Sequence, residues 1–385
     1  MLLFLGRPGL VRNLPESNEY LSHKRTNIIN AFFIVIIVLR HINQRIVPFS
    51  GIDEIYGTYY DALAGQSIVS SFFFFSGYGI MRSIQIKKQS YIKSLMTKRF
   101  ACLYINTAIC CAFSCFAYCL LYLSPAEACA YFLKTMVGLG GYWFIIMTLA
   151  IYVLVWISFV VFGVEKPKRS IVVASLLIYM LCVGLLPYKP MWWLDTELCF
   201  PCGMLLAVYL PQMEKVVRRI RLPIMLIGFI AMIVGWLCMQ YHMYGFNLMY
   251  VCVLKHIFQL ETIHWIKNAY HVGVYPLCTV VMVMGILWFF AGLKWKKEPS
   301  FLVWLGGSAV FYIFVLHFIP LRMLQTCGYK GTIVGDIPQS VRETPLWGNI
   351  CPELVVLAVF VAILLIAYAA SLVIPKIDSY LFKSK

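Results

Sequence analysis

Hydrophobic positions in this chain come in long blocks, not in the alternating or one-sided stripes of a water-soluble domain. Blocks lie at about 28–47, 67–81, 101–123, 141–162, 171–186, 193–210, 223–240, 272–292, 301–324 and 352–374, and the stretches between them hold most of the charge. A helix rises about 1.5 Å per residue, so roughly twenty apolar residues match the ~30 Å hydrocarbon core of a bilayer. The pattern predicts an all-α fold, a polytopic transmembrane helical bundle of about ten spans. Blocks 67–81 and 171–186 are short for a full crossing and are expected to be tilted, broken or covered by protein. Residues 1–25 read as a polar cytoplasmic segment, 26–375 as the membrane domain and 376–385 as a cytoplasmic tail. The first span is expected to double as an uncleaved insertion signal.

Composition sharpens this picture. Of 385 residues, 62% are hydrophobic and 12% charged, with a mean hydropathy of +0.82. A soluble domain carries about 25% charge. The net charge of +16 raises nucleic acid as a partner, but its placement argues against that. The segments on the N-terminal side of the spans hold 23 Lys and Arg against 6 Asp and Glu, and the opposite side holds 8 against 10. By the positive-inside rule both termini are cytoplasmic. The excess charge then reports topology and contact with anionic lipids, in a multi-pass protein of the cell (inner or plasma) membrane. The 14 cysteines lie mostly inside apolar blocks, where Cys acts as a small hydrophobe. Cys199 and Cys202 have no second pair, so no metal site is assigned. Cys327 and Cys351 flank the last outer loop and can pair if that compartment oxidises.

Polar groups inside the blocks carry the candidate chemistry, because lipid penalises them and they usually face protein. On a helix, Asn27, Asn30, Ile34, Ile37, His41 and Arg45 share one face of the first span, while Arg40 points about 100° from His41. Asn30 and His41 are separated by about 20° in azimuth and roughly 16 Å along the axis. The topology places His41, Tyr78, Tyr142, Trp143, Asp195, Glu197, Tyr312 and His317 toward the outer half of the bundle. Two histidines with carboxylates at similar depth suit proton chemistry, since neutral His takes a proton near pH 7 and a carboxylate fixes its tautomer. The outer segment Tyr241–His271 holds His242, His256, His264 and His271. Its intervals match no metal-ligand spacing on one helix, and its residues read as interfacial aromatics and loop histidines.

In motif order and span number, residues 25–375 resemble the bacterial integral membrane acyltransferases known as acyltransferase family 3, whose members include O-acetyltransferases of glycans. The family's span-1 His falls on His41. Read loosely, its FF-x-x-SG-[FY] falls on Phe73-Phe74-Phe75-Ser76-Gly77-Tyr78. Its basic segment after span 2 falls on Arg99 to Leu103, its W-F motif on Tyr142-Trp143-Phe144-Ile145, its F-x-x-G on Phe200 to Gly203 and its late His on His317. The chain departs from the pattern as well. The family's basic residue in span 1 falls on Asn30, its upstream Asp on Asn27 and its second Arg after span 2 on Cys102, and the Pro that follows is missing.

The resemblance implies transfer of an acyl group, most simply acetyl, from acyl-CoA to a hydroxyl of an extracytoplasmic glycan or lipid-linked saccharide. Acetyl-CoA or another acyl-CoA is then a donor substrate and not a bound cofactor. His41 is expected as general base or acyl carrier, with His317 or Asp195 orienting it or shuttling the proton. Ser76, Tyr78, Tyr142, Trp143, Glu197 and Tyr312 are expected around the substrate. Arg82, Lys98, Arg99 and Asn30 are expected at the donor, where Arg and Lys suit phosphate. Two readings compete. One is a transporter or flippase for a lipid-linked sugar or organic anion. The other is a non-catalytic family member that serves in binding or assembly.

Overall fold

A computed structural model describes residues 21–50, 65–121, 123–219, 221–255, 263–292, 299–327 and 352–381. Among these residues the elements are helical and no strand occurs. Lipid imposes this: a backbone without water must satisfy its N–H and C=O groups within its own segment. Among the described residues, seven stretches are long and apolar enough to cross a membrane, and the chain is a multi-pass helical membrane protein. One of the seven, Gln66–Leu120, takes in 67–81 and most of 101–123, which the sequence pattern separates. Cys351 and the outer segment from 328 lie outside the described residues, and with them the expected Cys327–Cys351 pair.

The chain divides into two compact units. The first comprises Met1–Thr26, Gln66–Phe100 and Ile146–Pro299, and the second Asn27–Gly65, Ala101–Ile145 and Ser300–Lys385. The second unit contains most of α1 (His23–Ser50), then α3 (Ala101–Leu121) and α4 (Pro125–Met136). It also contains α10 (Ser300–Leu305), α11 (Val310–Leu316), α12 (Phe318–Cys327) and α13 (Pro352–Leu381). The first holds α2 (Gln66–Ser94) with a π-helical turn at Leu95–Phe100, nearly all of α5 (Trp143–Phe162), α6 (Pro167–Leu185) and α7 (Cys199–Arg219). It also holds α8 (Arg221–Met249) and α9 (Ile263–Gly292).

Local sequence sets the helix ends. Ser124 caps α4 in a capping box with Glu127, and Pro125 occupies the first helical position, where its missing N–H is not needed. Gly163, at φ +77°, ends α5 with its N–H on the Phe159 carbonyl, the left-handed cap that glycine adopts without strain. Within α2, Lys88 takes φ 50°, ψ −137° and breaks the helix after its apolar half.

In the first unit two Phe-x-x-Gly segments make a reciprocal crossing of α2 and α7. Gly77 packs on the Phe200 carbonyl and Gly203 on the Phe74 carbonyl, so each glycine receives the backbone of the other's phenylalanine. Small residues let membrane helices approach this closely. The α8–α9 pair repeats the device, with Gly228 against Gly285 and Gly235 against Met282.

Two expectations need correction. The span expected at 301–324 is three helices, interrupted at Gly306–Ala309 and at His317. Gly306 turns there against the Asn27 carbonyl of α1, and Pro320, in the first turn of α12, supplies no N–H to continue the preceding helix. The segment from Tyr241 is not an outer loop. The α8 helix continues to Met249 and a π-helical turn reaches Lys255, while α9 begins at Ile263. His242 and His271 are therefore helix residues. Polar aromatic sequence ends the hydropathy signal here without ending the helix, since no Pro interrupts 241–255.

Candidate functional site

In the second unit the structure brings His41 and His317 together. His41 lies on α1 and His317 at the break between α11 and α12. Their rings stack with centroids 5.0 Å apart and an interplanar angle of 23°. Phe318 closes on both, at 5.2 Å from His41 and 4.1 Å from His317. His317 is 1% exposed. Its Nδ1 lies 2.8 Å from the Phe314 carbonyl and 3.1 Å from that of Ile313. A carbonyl only accepts, so Nδ1 carries the hydrogen and the neutral ring presents its lone pair at Nε2. That Nε2 is buried and has no hydrogen-bond partner among the described residues. On His41, Nδ1 lies 3.1 Å from Gln44 Oε1. The amide oxygen also accepts, which places the His41 lone pair at Nε2 as well. The Ile313 carbonyl also accepts the backbone N–H of His317 at 3.0 Å.

The neighbouring candidates form an aromatic file. Trp143 meets Phe144 edge-on at 6.1 Å, Phe144 lies 4.9 Å from Phe314, and Phe314 lies 6.2 Å from His317. Tyr142 is buried, and its hydroxyl donates to Ser114 Oγ at 3.1 Å while Ser114 donates to the Cys110 carbonyl. Tyr312 is buried on α11, edge-on to Phe311 at 5.3 Å. Asn30 is half-buried on α1, and its Oδ1 is enclosed without a hydrogen-bond partner among the described residues. Asn27 donates to the Val303 carbonyl at 3.4 Å. At the position of the missing second Arg, Cys102 Sγ lies 3.6 Å from Asp378 Oδ2, which also accepts from Asn106 at 2.9 Å.

The first unit holds the other candidates. Ser76 and Tyr78 sit on α2 beside the glycine crossing, Ser76 half-buried and Tyr78 buried. Arg82 donates to Gln85 Oε1 at 2.9 Å, and Gln85 donates to the Ala207 carbonyl of α7 at 3.1 Å. Lys98 and Arg99 are exposed on the π-helical turn. Asp195 and Glu197 are buried in the connection before α7. Burial pushes the Asp195 carboxyl up, opposed by its bond to His271. Burial holds Glu197 well above the usual carboxylate range, and the charge of Asp195 adds to that. Asp195 Oδ2 lies 3.2 Å from His271 Nε2, and His271 Nδ1 lies 2.8 Å from His242 Nε2. Sequence reasoning passed over this pair of histidines. The available signal was an interval of 29 residues between histidines on consecutive spans, which only a helical reading of 241–255 turns into a contact.

The sequence model of the acyltransferase domain of acyltransferase family 3 matches residues 26–374. The chain belongs to acyltransferase family 3. No curated protein and no solved structure matches it. Family membership makes this a membrane acyltransferase in general terms. Within the acyltransferase, His41 and His317, the two histidines expected from the sequence to carry its chemistry, are the stacked pair of the second unit.

Proposed function

We propose that this acyltransferase moves an acyl group, most simply acetyl, from acyl-CoA to a hydroxyl of an extracytoplasmic glycan or lipid-linked saccharide, with His41 as the base. The observation that carries the reading is the stacked His41–His317 pair, in which Nδ1 of each ring faces a hydrogen-bond acceptor and both lone pairs fall on Nε2. A general base in hydrogen-bond reach of its proton contributes about 10²–10⁴-fold. His41 Nε2 takes the proton of the acceptor hydroxyl as its oxygen attacks the thioester carbonyl. The thioester C–S bond then breaks, and the thiolate leaves with that proton as free CoA. Phe318 and the stacked rings shield the pair, and His317 positions His41. Arg82, Lys98 and Arg99 supply cationic groups for the donor phosphates. Incubation of detergent-solubilised protein with labelled acetyl-CoA and glycan fractions tests this, because an enzyme transfers label with no gradient present. A transporter leaves the label on CoA and moves solute only in sealed vesicles.

One observation favours a second reading, a non-catalytic binding role. Asn30 and Cys102 stand where the family has basic groups, and Cys102 faces the Asp378 carboxylate at 3.6 Å, which disfavours a phosphate there. That reading predicts acyl-CoA binding without turnover for every acceptor tried.

A further inference from the structure

Three side chains of the first unit form a single file of hydrogen bonds. Asp195 Oδ2 lies 3.2 Å from His271 Nε2, His271 Nδ1 lies 2.8 Å from His242 Nε2, and His242 Nδ1 lies 2.8 Å from the Met239 carbonyl. Asp195 comes from the connection before α7, His271 from α9 and His242 from α8. Asp195 is 4% exposed, and the histidines are half-buried on helices long and apolar enough to cross a membrane. Tyr275 stacks on His271 at 5.0 Å and lies edge-on to His242 at 5.5 Å, while Tyr270 lies parallel to His242 at 6.4 Å.

The bonds dictate a proton count. The Met239 carbonyl only accepts, so His242 Nδ1 carries a hydrogen. An ionised Asp195 only accepts, so His271 Nε2 carries one. The central N···N contact needs a third, on one of the two facing nitrogens. One imidazole is then an imidazolium, paired with the carboxylate, and the file is neutral overall. Moving the central proton from His271 Nδ1 to His242 Nε2 carries the positive charge one ring along and loses no bond. Moving the His271 Nε2 proton to Asp195 instead gives a neutral acid and two neutral rings, again with every bond kept. Removing one proton leaves two bare nitrogens facing each other at 2.8 Å and strands a charge in a buried place, where an unpaired charge is costly.

We propose that Asp195, His271 and His242 form a one-proton relay, a site that binds a single exchangeable proton and passes its charge along two imidazoles inside the bundle. Chains of Asp, Glu and His within membrane segments are the material of proton paths. Among the described residues, the other titratable groups facing the file are Glu197 beside Asp195, Cys182 on α6 and Cys199 at the start of α7, together with Tyr270 and Tyr275 on α9. Burial raises the Glu197 carboxyl well above its ordinary range, and the charge of Asp195 adds to that, which opposes a second negative charge beside the file. The acyl transfer proposed for His41 makes no use of this file.

The test is nitrogen NMR of the full chain in lipid bilayers with 15N-labelled histidine, followed across pH. There are seven histidines, and the signals of interest are assigned with His242→Gln and His271→Gln. The relay predicts a through-bond coupling between His242 Nε2 and His271 Nδ1, and loss of one proton in a single step that both rings report together. In Asp195→Asn that step falls at a pH about 1–3 units lower, because the opposing charge is gone. Absence of the coupling at every pH at which the protein stays folded overturns the proposal. Two rings that titrate separately, at the same pH in wild type and Asp195→Asn, overturn it too. Should Asp195→Asn not fold, the coupling and the joint step in wild type decide alone.

Discussion

Alanine at Gly77 and alanine at Gly79 are predicted to move stability in opposite directions, although the positions are two residues apart on α2. A Cβ at Gly77 falls 2.7 Å from the Phe200 carbonyl carbon and nearer still to its oxygen, against the 3.4 Å at which ordinary contact begins. The shortfall, more than 0.7 Å because the oxygen is nearer than the carbon, must come from parting α2 and α7, because the obstacle is backbone and cannot rotate away. Overpacking of this kind costs about 1–3 kcal/mol, and a backbone obstacle belongs at the upper end. Alanine in place of glycine returns about 1 kcal/mol of helix propensity, which leaves a net loss of about 2 kcal/mol. At Gly79 nothing lies within 4 Å of the new Cβ, so only the gain of about 1 kcal/mol remains. The two variants should differ by about 3 kcal/mol in reversible unfolding followed in detergent. Gly203→Ala should resemble Gly77→Ala. The double variant should lose less than the sum, since both open the same crossing. A Gly77→Ala protein as stable as Gly79→Ala would refute the reciprocal crossing.

Further predictions concern the strained kink, the buried acid and the histidine pair. Lys88→Gly should raise stability by about 1 kcal/mol, because φ 50° is costly for a side chain and free for glycine; an unchanged or lower melting temperature would remove the kink from the account. Burial raises the folded-state Glu197 carboxyl well above its ordinary range, so its contribution to stability is full below the unfolded-state value and lost as pH rises through the folded one. Glu197→Gln should therefore unfold at higher temperature than wild type at pH 8, with the gap closing as pH falls into the ordinary carboxylate range, and parallel melting curves across pH would contradict this. Gln44→Ala removes the group that fixes the His41 tautomer and should slow transfer about 5- to 10-fold, the worth of one hydrogen bond, with binding of acyl-CoA unchanged in a direct titration. His317→Phe, which keeps the aromatic packing but loses the bonds to Ile313 and Phe314, should slow transfer more than Gln44→Ala does, and equal rates would remove His317 from the positioning role.

The helices were legible in the sequence because lipid demands some twenty apolar residues per crossing. What hydropathy does not report is where a helix ends once it leaves the apolar core. The α8 helix therefore runs past its hydropathy limit, and His242 and His271 became helix residues instead of loop residues. Topology likewise fixes only depth, one coordinate of three. Depth put His41, His317 and Asp195 at similar heights. Only azimuth and helix packing decide that His317 stacks on His41 while Asp195 bonds His271. The Phe-x-x-Gly segments were visible as motifs, but their reciprocal contact needs both crossing helices at once. The break at His317 is foreshadowed by Pro320 and by Gly306-Gly307, and the sequence alone does not say whether such residues kink a span or divide it.

The most direct test of the account is turnover of acetyl-CoA by purified protein, wild type beside His41→Ala, with thermal stability and release of free CoA thiol read on the same samples. The account predicts that acetyl-CoA stabilises both proteins, and that wild type releases thiol in the presence of a glycan acceptor. His41→Ala should remain folded and release it about 10²–10⁴-fold more slowly. A folded His41→Ala protein that releases thiol at the wild-type rate would contradict it.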